Sequence, residues 1–390
     1  MRIKHIAVFP IISPLPYPYG ISTRLATSRT ATLVRIQTTD GYEGWGESAG
    51  TPNETAQTLR TALIPDLQHV DLNEPQQAYA QIVNEPQHKI TAIGAIDTAL
   101  WDIDAQINNQ PLARHLNPLS ASTVTPYAAG GYYRTNTSDR GAELSRDAQS
   151  IRMRGFTAFK VKIGRLSVKE DAEALRKLRA SIGPDIQLMA DANEGYRHDL
   201  NAARAMANVL NEIGATWFEE PLAIDRPDLY AELRQVSEVP IAGGEHLVGE
   251  DAFMKAIDND AFDIVQPDVV WTGGVTGYRK IETIARQAQI TCIPHVWGTP
   301  VSFFASLHLL CAYQDLNAKS QHVKLEYDQG PFPARDQLGE RPSVDSNGQI
   351  PSVETPGLGF RPSASISQIS GTVPAPNCHQ QAATRPHHRR

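Results

Sequence analysis

The sequence predicts an α/β fold: a parallel (β/α)7β barrel behind an N-terminal α+β capping domain. Three observations carry this. From Val124 onward, short apolar runs alternate strictly with helix-like patterns at intervals of roughly 25 to 30 residues, the signature of a closed TIM-like barrel. The first 122 residues lack that alternation and read instead as β-rich runs followed by helical patterns. Finally, the runs IQLMADAN, ATWFEEP and VPIAGGE bring a carboxylate to their C-terminal ends, at Asp191, Glu219 and Glu245. A barrel gathers the C-terminal ends of its strands at one face, so these carboxylates are expected to converge there.

Taken in order, residues 2 to 11, 30 to 38 and 42 to 46 read as strands of a small antiparallel sheet, with Asp40-Gly41 as the turn before the third. Between the first two, the proline- and tyrosine-bearing segment from Pro14 to Gly20 reads as a loop, either a structured connection or a lid. Helical patterns cover 53 to 67, 73 to 83 and 89 to 109. In the last, Ile93, Ile96, Leu100, Ile103 and Ile107 recur at steps of three and four, predicting one buried face.

The barrel strands are predicted at 124 to 130, 158 to 163, 186 to 191, 215 to 219, 240 to 245, 262 to 268, 291 to 296 and 322 to 327. Seven helix-like segments separate them. Gly- and Pro-rich sequence follows the eighth strand, which favours a seven-helix variant. The domain boundaries are therefore 1–122 for the capping domain, 123–345 for the barrel, 346–362 for an extended return towards the first domain, and 363–390 for a tail. That tail is rich in Ser, Thr, Pro, Gln and Ala and is expected to be disordered.

Charge and cysteine content narrow the function classes. The 390 residues carry a formal charge of −7, with 41% hydrophobic and 20% charged residues, an ordinary globular composition. No basic face is available for a polyanion, which argues against nucleic acid. Three widely spaced cysteines, Cys292, Cys311 and Cys378, form no disulfide framework, so a cytoplasmic setting is expected. No apolar run approaches the roughly 18 residues of a membrane span, and the start of the chain is not a signal h-region.

The chemistry is read from the strand ends. Strand two ends in Lys160-Val-Lys162, strands three to five in Asp191, Glu219 and Glu245, strand six in Asp268, strand seven in His295 and strand eight in Glu326. A single such residue is more often an ordinary ion pair than a catalyst; an unbroken series over seven strands is not explained by solvation. Three converging carboxylates make a hard, oxygen-rich site for a divalent ion such as magnesium. Lys160 and Lys162 point the same way along their strand. Their mutual repulsion is expected to lower the proton affinity of each and prepare one as a base; the bland alternative is that they neutralise the facing carboxylates. Asp268 and His295 end adjacent strands, so the carboxylate is expected to fix the imidazole tautomer and raise its basicity. A protonated Glu326 would donate to an oxyanion; the bland alternative is a salt bridge with Lys324 or another rim charge. For Glu220 the bland reading is an outward carboxylate bonded to a neighbouring strand's lysine. Asn193, His246 and Trp297 are candidates to line the pocket and touch substrate.

As a set, Lys-x-Lys, Asp-x-Asn, Glu-Glu-Pro, Gly-Gly-Glu, Gln-Pro-Asp, Pro-His and Leu-Glu-Tyr-Asp resemble the enolase superfamily, mandelate racemase subgroup. The resemblance covers about residues 1 to 360, including GYEGWGE and AIDTALWDI in the capping domain. It implies magnesium bound by Asp191, Glu219 and Glu245, with Lys162 as one base and His295 with Asp268 as the other. Glu326 would be the enolate-side donor, and Lys160 would contact the substrate carboxylate. Sites of that superfamily use a Lys or His base with magnesium stabilising an ene-diolate. The expected reaction is removal of the proton α to the carboxylate of a sugar acid, with loss of water to a 2-keto-3-deoxy acid. QPDVVWTGGVTG and PHVWGTP also resemble members that open sugar-acid lactones, so cycloisomerisation is the alternative, and racemisation or epimerisation the third. Specificity is expected near residues 14 to 25 and 48 to 53. Barrels of this type assemble, so a homo-oligomer is expected.

Overall fold

The computed structural model describes residues 2–67, 70, 72, 74–85, 89–135, 138–314, 322–363 and 366–369. Its first sheet is antiparallel, ordered β3 (Glu43–Ser48), β2 (Leu25–Thr38), β1 (Ile3–Gly20), with Tyr133–Arg134 from the barrel domain added beyond β1. The segment from Pro14 to Gly20 is therefore strand rather than loop. Pro14 pairs with Ser28, and after a register shift Tyr19 pairs with Ala26 and Gly20 with Leu25. The shift leaves Pro16 and Pro18 where the ladder asks for no N–H, which is where a strand tolerates proline. A turn in which Ile21 N donates to Arg24 O at 3.0 Å closes the hairpin.

The helix Ile90–Ile107 packs beneath this sheet. Gly44 and Gly46 permit the approach: a Cβ on Gly46 would stand 1.8 Å from Ala95 O, and one on Gly44 2.1 Å from Ala99 O. Ile93, Ile96, Leu100 and Ile103 are buried, each worth about 1.5–3 kcal/mol, whereas Ile107 is 46% exposed. Burial is not confined to one face. Asp97, Trp101 and Asp102 are also buried, because the helix lies between the sheet and the barrel helix Gly274–Gln287. The first predicted helix is Pro52–Thr58, continued by a wide π-helical turn at Leu59–Leu63 and a last turn at Ile64–Asp66. The second is Pro75–Ile82.

Eight parallel strands form the second sheet: Pro126–Gly130, Ala158–Lys162, Gln187–Asp191, Ala215–Glu219, Ile241–Gly243, Ile264–Val265, Thr291–Cys292 and Leu325–Asp328, here strands one to eight. Their order is seven, six, five, four, three, two, one, eight. Ladder bonds join strand one to strands two and eight, but among the described residues none joins strand seven to strand eight. The expected closed barrel is thus a curled sheet with one seam. Strand seven keeps only two ladder residues, and at the seam Val296 N donates to Glu326 instead.

Strands one to seven are followed by the helices Arg140–Met153, Val168–Ile182, Leu200–Glu212, Pro227–Val236, Glu250–Asp258, Gly274–Gln287 and Pro300–Tyr313. Local signals start several of them. Asp139 and Asp199 cap their own helices, and Ser167 with Glu170 forms a capping box. The short helix Pro333–Leu338 comes directly after strand eight. The return pairs Ile350–Pro351 with Thr123–Val124, and Leu358 N donates to Asp102 Oδ1 at 2.8 Å on the capping-domain helix. Of the tail after 363, Ile366–Ile369 forms a helical turn with Ile366 buried; the remainder, with Cys378, lies outside the described residues.

Candidate active site

Register aligns the strand ends. Lys162 pairs with Asp191, and Asp191 with Glu219, so side chains from strands two, three and four emerge at one level. Asp191, Glu219 and Glu245 each place a carboxylate oxygen within 4.8 Å of the others, and all three residues are buried. Glu245 Oε2 accepts no aligned hydrogen bond, although His295 Nε2 stands 3.0 Å away. Three hard oxygen donors gathered out of water fit a divalent cation of the magnesium type.

Two lysines flank this triad. Lys160, fully buried, contacts Glu219 and lies 3.0 Å from Glu326 Oε1; Lys162 contacts Asp191. Burial alone would lower both ammonium groups, but the surrounding carboxylates outweigh it, Glu219 for Lys160 and Asp191 for Lys162, and hold both above the ordinary lysine value. The lysine–lysine repulsion expected from the sequence exists but loses to these closer opposite charges. Glu326 pairs with Lys160.

On the other side, His295 Nδ1 lies 2.7 Å from Asp268 Oδ2, and Asp268 and His295 form an isolated parallel bridge between the ends of strands six and seven. Val270 N donates to Asp268 Oδ1 at 2.8 Å and fixes the carboxylate. Burial opposes a charge on His295, yet the attraction of Glu245 and Glu326 raises its affinity for a proton. Burial pushes Glu219 up to about 8 against the pull of Lys160. Trp217 Nε1 and Gln266 Nε2 both donate to its Oε2, at 2.9 and 2.8 Å.

Lys162, Asn193, Glu245, His246, His295 and Trp297 line one cavity, roofed by the hairpin end from Tyr19 to Ala26. Asn193 Nδ2 donates to Glu245 Oε1 at 3.2 Å, and Ser22 in the roof donates to Asn193 O at 3.0 Å. Glu220 is fully buried, and its partner is His246, Nδ1 to Oε2 at 3.0 Å, rather than a lysine. Residues 48–53 do not line this cavity; Thr55 Oγ1 folds that loop back by donating to Ala49 O.

Tyr132 and Trp271 also line the cavity, and Arg29 holds its Trp297 wall; sequence reasoning missed all three. Arg29 sits between the rings of Trp297 and Phe332, at 4.0 and 4.4 Å, and donates to Trp297 O and Asp328. No local pattern marks it, because its partners lie 268 and 299 positions away.

Comparison with known proteins places this geometry. Residues 143–366 match the family described as enolase C-terminal domain-like, and residues 5–116 match the mandelate racemase / muconate lactonizing enzyme N-terminal domain. The chain is 31% identical over 368 residues to D-galactarolactone cycloisomerase of Agrobacterium fabrum, covering 92% of this chain and 96% of that protein. It is 32% identical over 334 residues to arabinonate dehydratase of Saccharolobus solfataricus, covering 83% and 86%. The crystal structure of 3,6-anhydro-D-galactonate cycloisomerase from Zobellia galactanivorans superposes with a TM-score of 0.81 at 28% identity, over 95% of this chain and 98% of that one. Both domains, the order of the strand-end residues and the whole-length relatives agree: the chain belongs to the mandelate racemase / muconate lactonizing enzyme family of the enolase superfamily.

Proposed function

We propose that this protein is a magnesium-dependent lyase that removes the proton α to the carboxylate of a sugar acid and eliminates the β-hydroxyl as water, giving a 2-keto-3-deoxy acid. One observation carries the reading: Lys162 and His295 enter the same cavity from strands two and seven, on either side of the Asp191–Glu219–Glu245 triad. Such a cavity offers one proton acceptor and one proton donor to a single small carboxylate.

The α-proton is weakly acidic, and a base alone removes it slowly; charge that develops on the carboxylate oxygens must be met as it forms. When bound by Asp191, Glu219 and Glu245, magnesium supplies positive charge to that carboxylate. Lys160, 3.0 Å from Glu326, presents a second positive charge to the enediolate oxygens, and Glu326 stands beside it on the enolate side. Lys162 Nζ takes the α-proton. His295, oriented by Asp268 through Nδ1, protonates the departing β-oxygen from Nε2. The C–O bond breaks, water leaves, and the enol tautomerises to the 2-keto acid. Asn193, His246 and Trp297 shape the rest of the cavity around the sugar chain.

Ring opening is the second reading. One relative aligned over most of both chains is a galactarolactone cycloisomerase, and an enediolate can expel a ring oxygen in place of a hydroxyl. Proton NMR in deuterium oxide, with magnesium and a panel of aldonic and aldaric acids and their lactones, separates the two. Loss of the α-proton signal with a 2-keto-3-deoxy product from an open-chain acid is the expected result. The same product formed only from a lactone or anhydro acid shifts the assignment to cycloisomerisation. Deuterium incorporation with return of the starting skeleton moves it to racemisation, and no exchange with any acid overturns the assigned chemistry.

A further inference from the structure

The two strands that carry the Asp268–His295 pair are each followed by a helix whose first turn is held by a carboxylate from the capping domain. After strand six the chain turns tightly: Asp268 O accepts from Trp271 N and Thr272 N at 3.0 Å, and Val269 O accepts from Gly274 N at 3.0 Å. The helix Gly274–Gln287 then begins with Gly273 at its N-terminal cap, which has no side chain to satisfy the free N–H groups. Asp97, buried on the capping-domain helix, does so instead. Its Oδ2 accepts from Thr276 N at 2.8 Å and its Oδ1 from Thr276 Oγ1 at 2.6 Å, while Trp101 Nε1 donates to the same hydroxyl at 2.8 Å. The backbones are in close contact here, since a Cβ on Gly94 would stand 2.7 Å from Gly274 N.

After strand seven the arrangement repeats with Glu47 of β3. Its carboxylate accepts from Thr299 N at 3.1 Å, Thr299 Oγ1 at 2.6 Å and Ser302 N at 3.2 Å, at the start of the helix Pro300–Tyr313. Glu47 is 5% exposed and Asp97 1%. Only three residues separate His295 from Thr299, and seven separate Asp268 from Thr276. Each end of the hydrogen-bonded pair is thus anchored, a few residues on, to the capping domain.

We infer that Glu47 and Asp97 are positioning residues: by capping these two helices across the domain boundary, the seated capping domain sets the Asp268–His295 distance and hence proton transfer from the second face. The inference rests on the reading of that pair as the acid. A proton donor displaced by about 1 Å loses on the order of 10²-fold in rate, so a small relaxation of either loop is enough.

Two experiments test this. In hydrogen–deuterium exchange of the full chain, Asp97→Asn is expected to speed exchange in residues 268–276, and Glu47→Gln in 295–302, with residues 187–193 unchanged. Asp102→Asn is the control, because that buried carboxylate of the same helix accepts from Trp45 N and Leu358 N and touches neither loop. Thr276→Val, which removes the hydroxyl bond to Asp97 Oδ1 and leaves the backbone N–H bond to Oδ2, is the second variant should Asp97→Asn fold poorly, with a smaller acceleration in the same residues expected. Unchanged exchange in both loops, or equal acceleration by the control, overturns the inference. This arm needs no substrate and stands if the assigned reaction fails. With a substrate in hand, Asp97→Asn and Glu47→Gln are each expected to lower kcat about 10- to 100-fold with little change in KM. In an Asp268→Ala background, where the pair is already broken, the further loss should fall below about 2-fold. A loss of equal size in both backgrounds means that these carboxylates do not act through the pair.

Discussion

Lys162 Nζ contacts Asp191 Oδ2 across the ladder between strands two and three, where the two residues are paired in register. The carboxylate that would hold a cation is therefore also the one that keeps Lys162 protonated. A cation held by Asp191, Glu219 and Glu245 would take up Asp191's charge, and Lys162, released from that pairing, would be able to accept a proton. Removing divalent ions with a chelator is expected to abolish α-proton exchange, and magnesium to restore it. Magnesium should also raise the unfolding midpoint, since at a hundredfold excess over its dissociation constant it adds about 2.7 kcal/mol of stability. Thermal denaturation with and without the ion measures this; a midpoint indifferent to magnesium would count against the triad as the site.

Lys162 and His295 are assigned different steps, so their loss should look different. Lys162→Ala is expected to cut α-proton exchange by about 10²- to 10⁴-fold. His295→Asn should retain exchange while product formation falls by a similar factor. Exchange and product, followed together by NMR, check both. The reverse pattern would exchange the two roles.

Arg29 is 2% exposed and crosses from β2 to the end of strand eight. Replacing it with Met leaves Trp297 O without its donor and removes one of the two guanidinium groups on Asp328, whose other is Arg335 at 2.8 Å. A cost of about 1.5–3 kcal/mol is expected, because a charge-assisted hydrogen bond is lost while Asp328 keeps Arg335. Urea denaturation reads it directly. A change within about 0.5 kcal/mol, the range of ordinary surface substitutions, would contradict the buried pairing.

Asp97 gives the stability profile a defined slope. Burial lifts its carboxyl from 3.8 to about 7, against the hydrogen bonds from Thr276. Between those values the folded state binds more protons than the unfolded chain. The group's contribution is therefore full below about pH 4 and is lost as the pH rises through 7, at up to about 1.4 kcal/mol per pH unit. Urea midpoints of the wild type minus those of Asp97→Asn should fall with rising pH across this window; a flat difference would mean that Asp97 is not shifted.

Much of this protein is local in origin, and the sequence alone determined it. Strand periodicity, the capping signals at Asp139, Ser167 and Asp199, and the residue at each strand end follow from side-chain alternation and turn chemistry within a few positions. That is why the order of the barrel strands and the gathering of Asp191, Glu219 and Glu245 were legible. Pairing across domains was not. Pro14 to Gly20 read as a loop because proline opposes a ladder, and only the register shift against β2 makes the strand possible. The helix Ile90–Ile107 read as half-buried because its second partner, Gly274–Gln287, lies far along the chain. Arg29 carries no local mark, and Glu47 and Asp97, though they stand in GYEGWGE and AIDTALWDI, carry no local sign of the helices they cap. Tertiary structure decided their partners, and it also decided the charge on Lys162, since electrostatic attraction depends on distances in space that residue spacing does not fix.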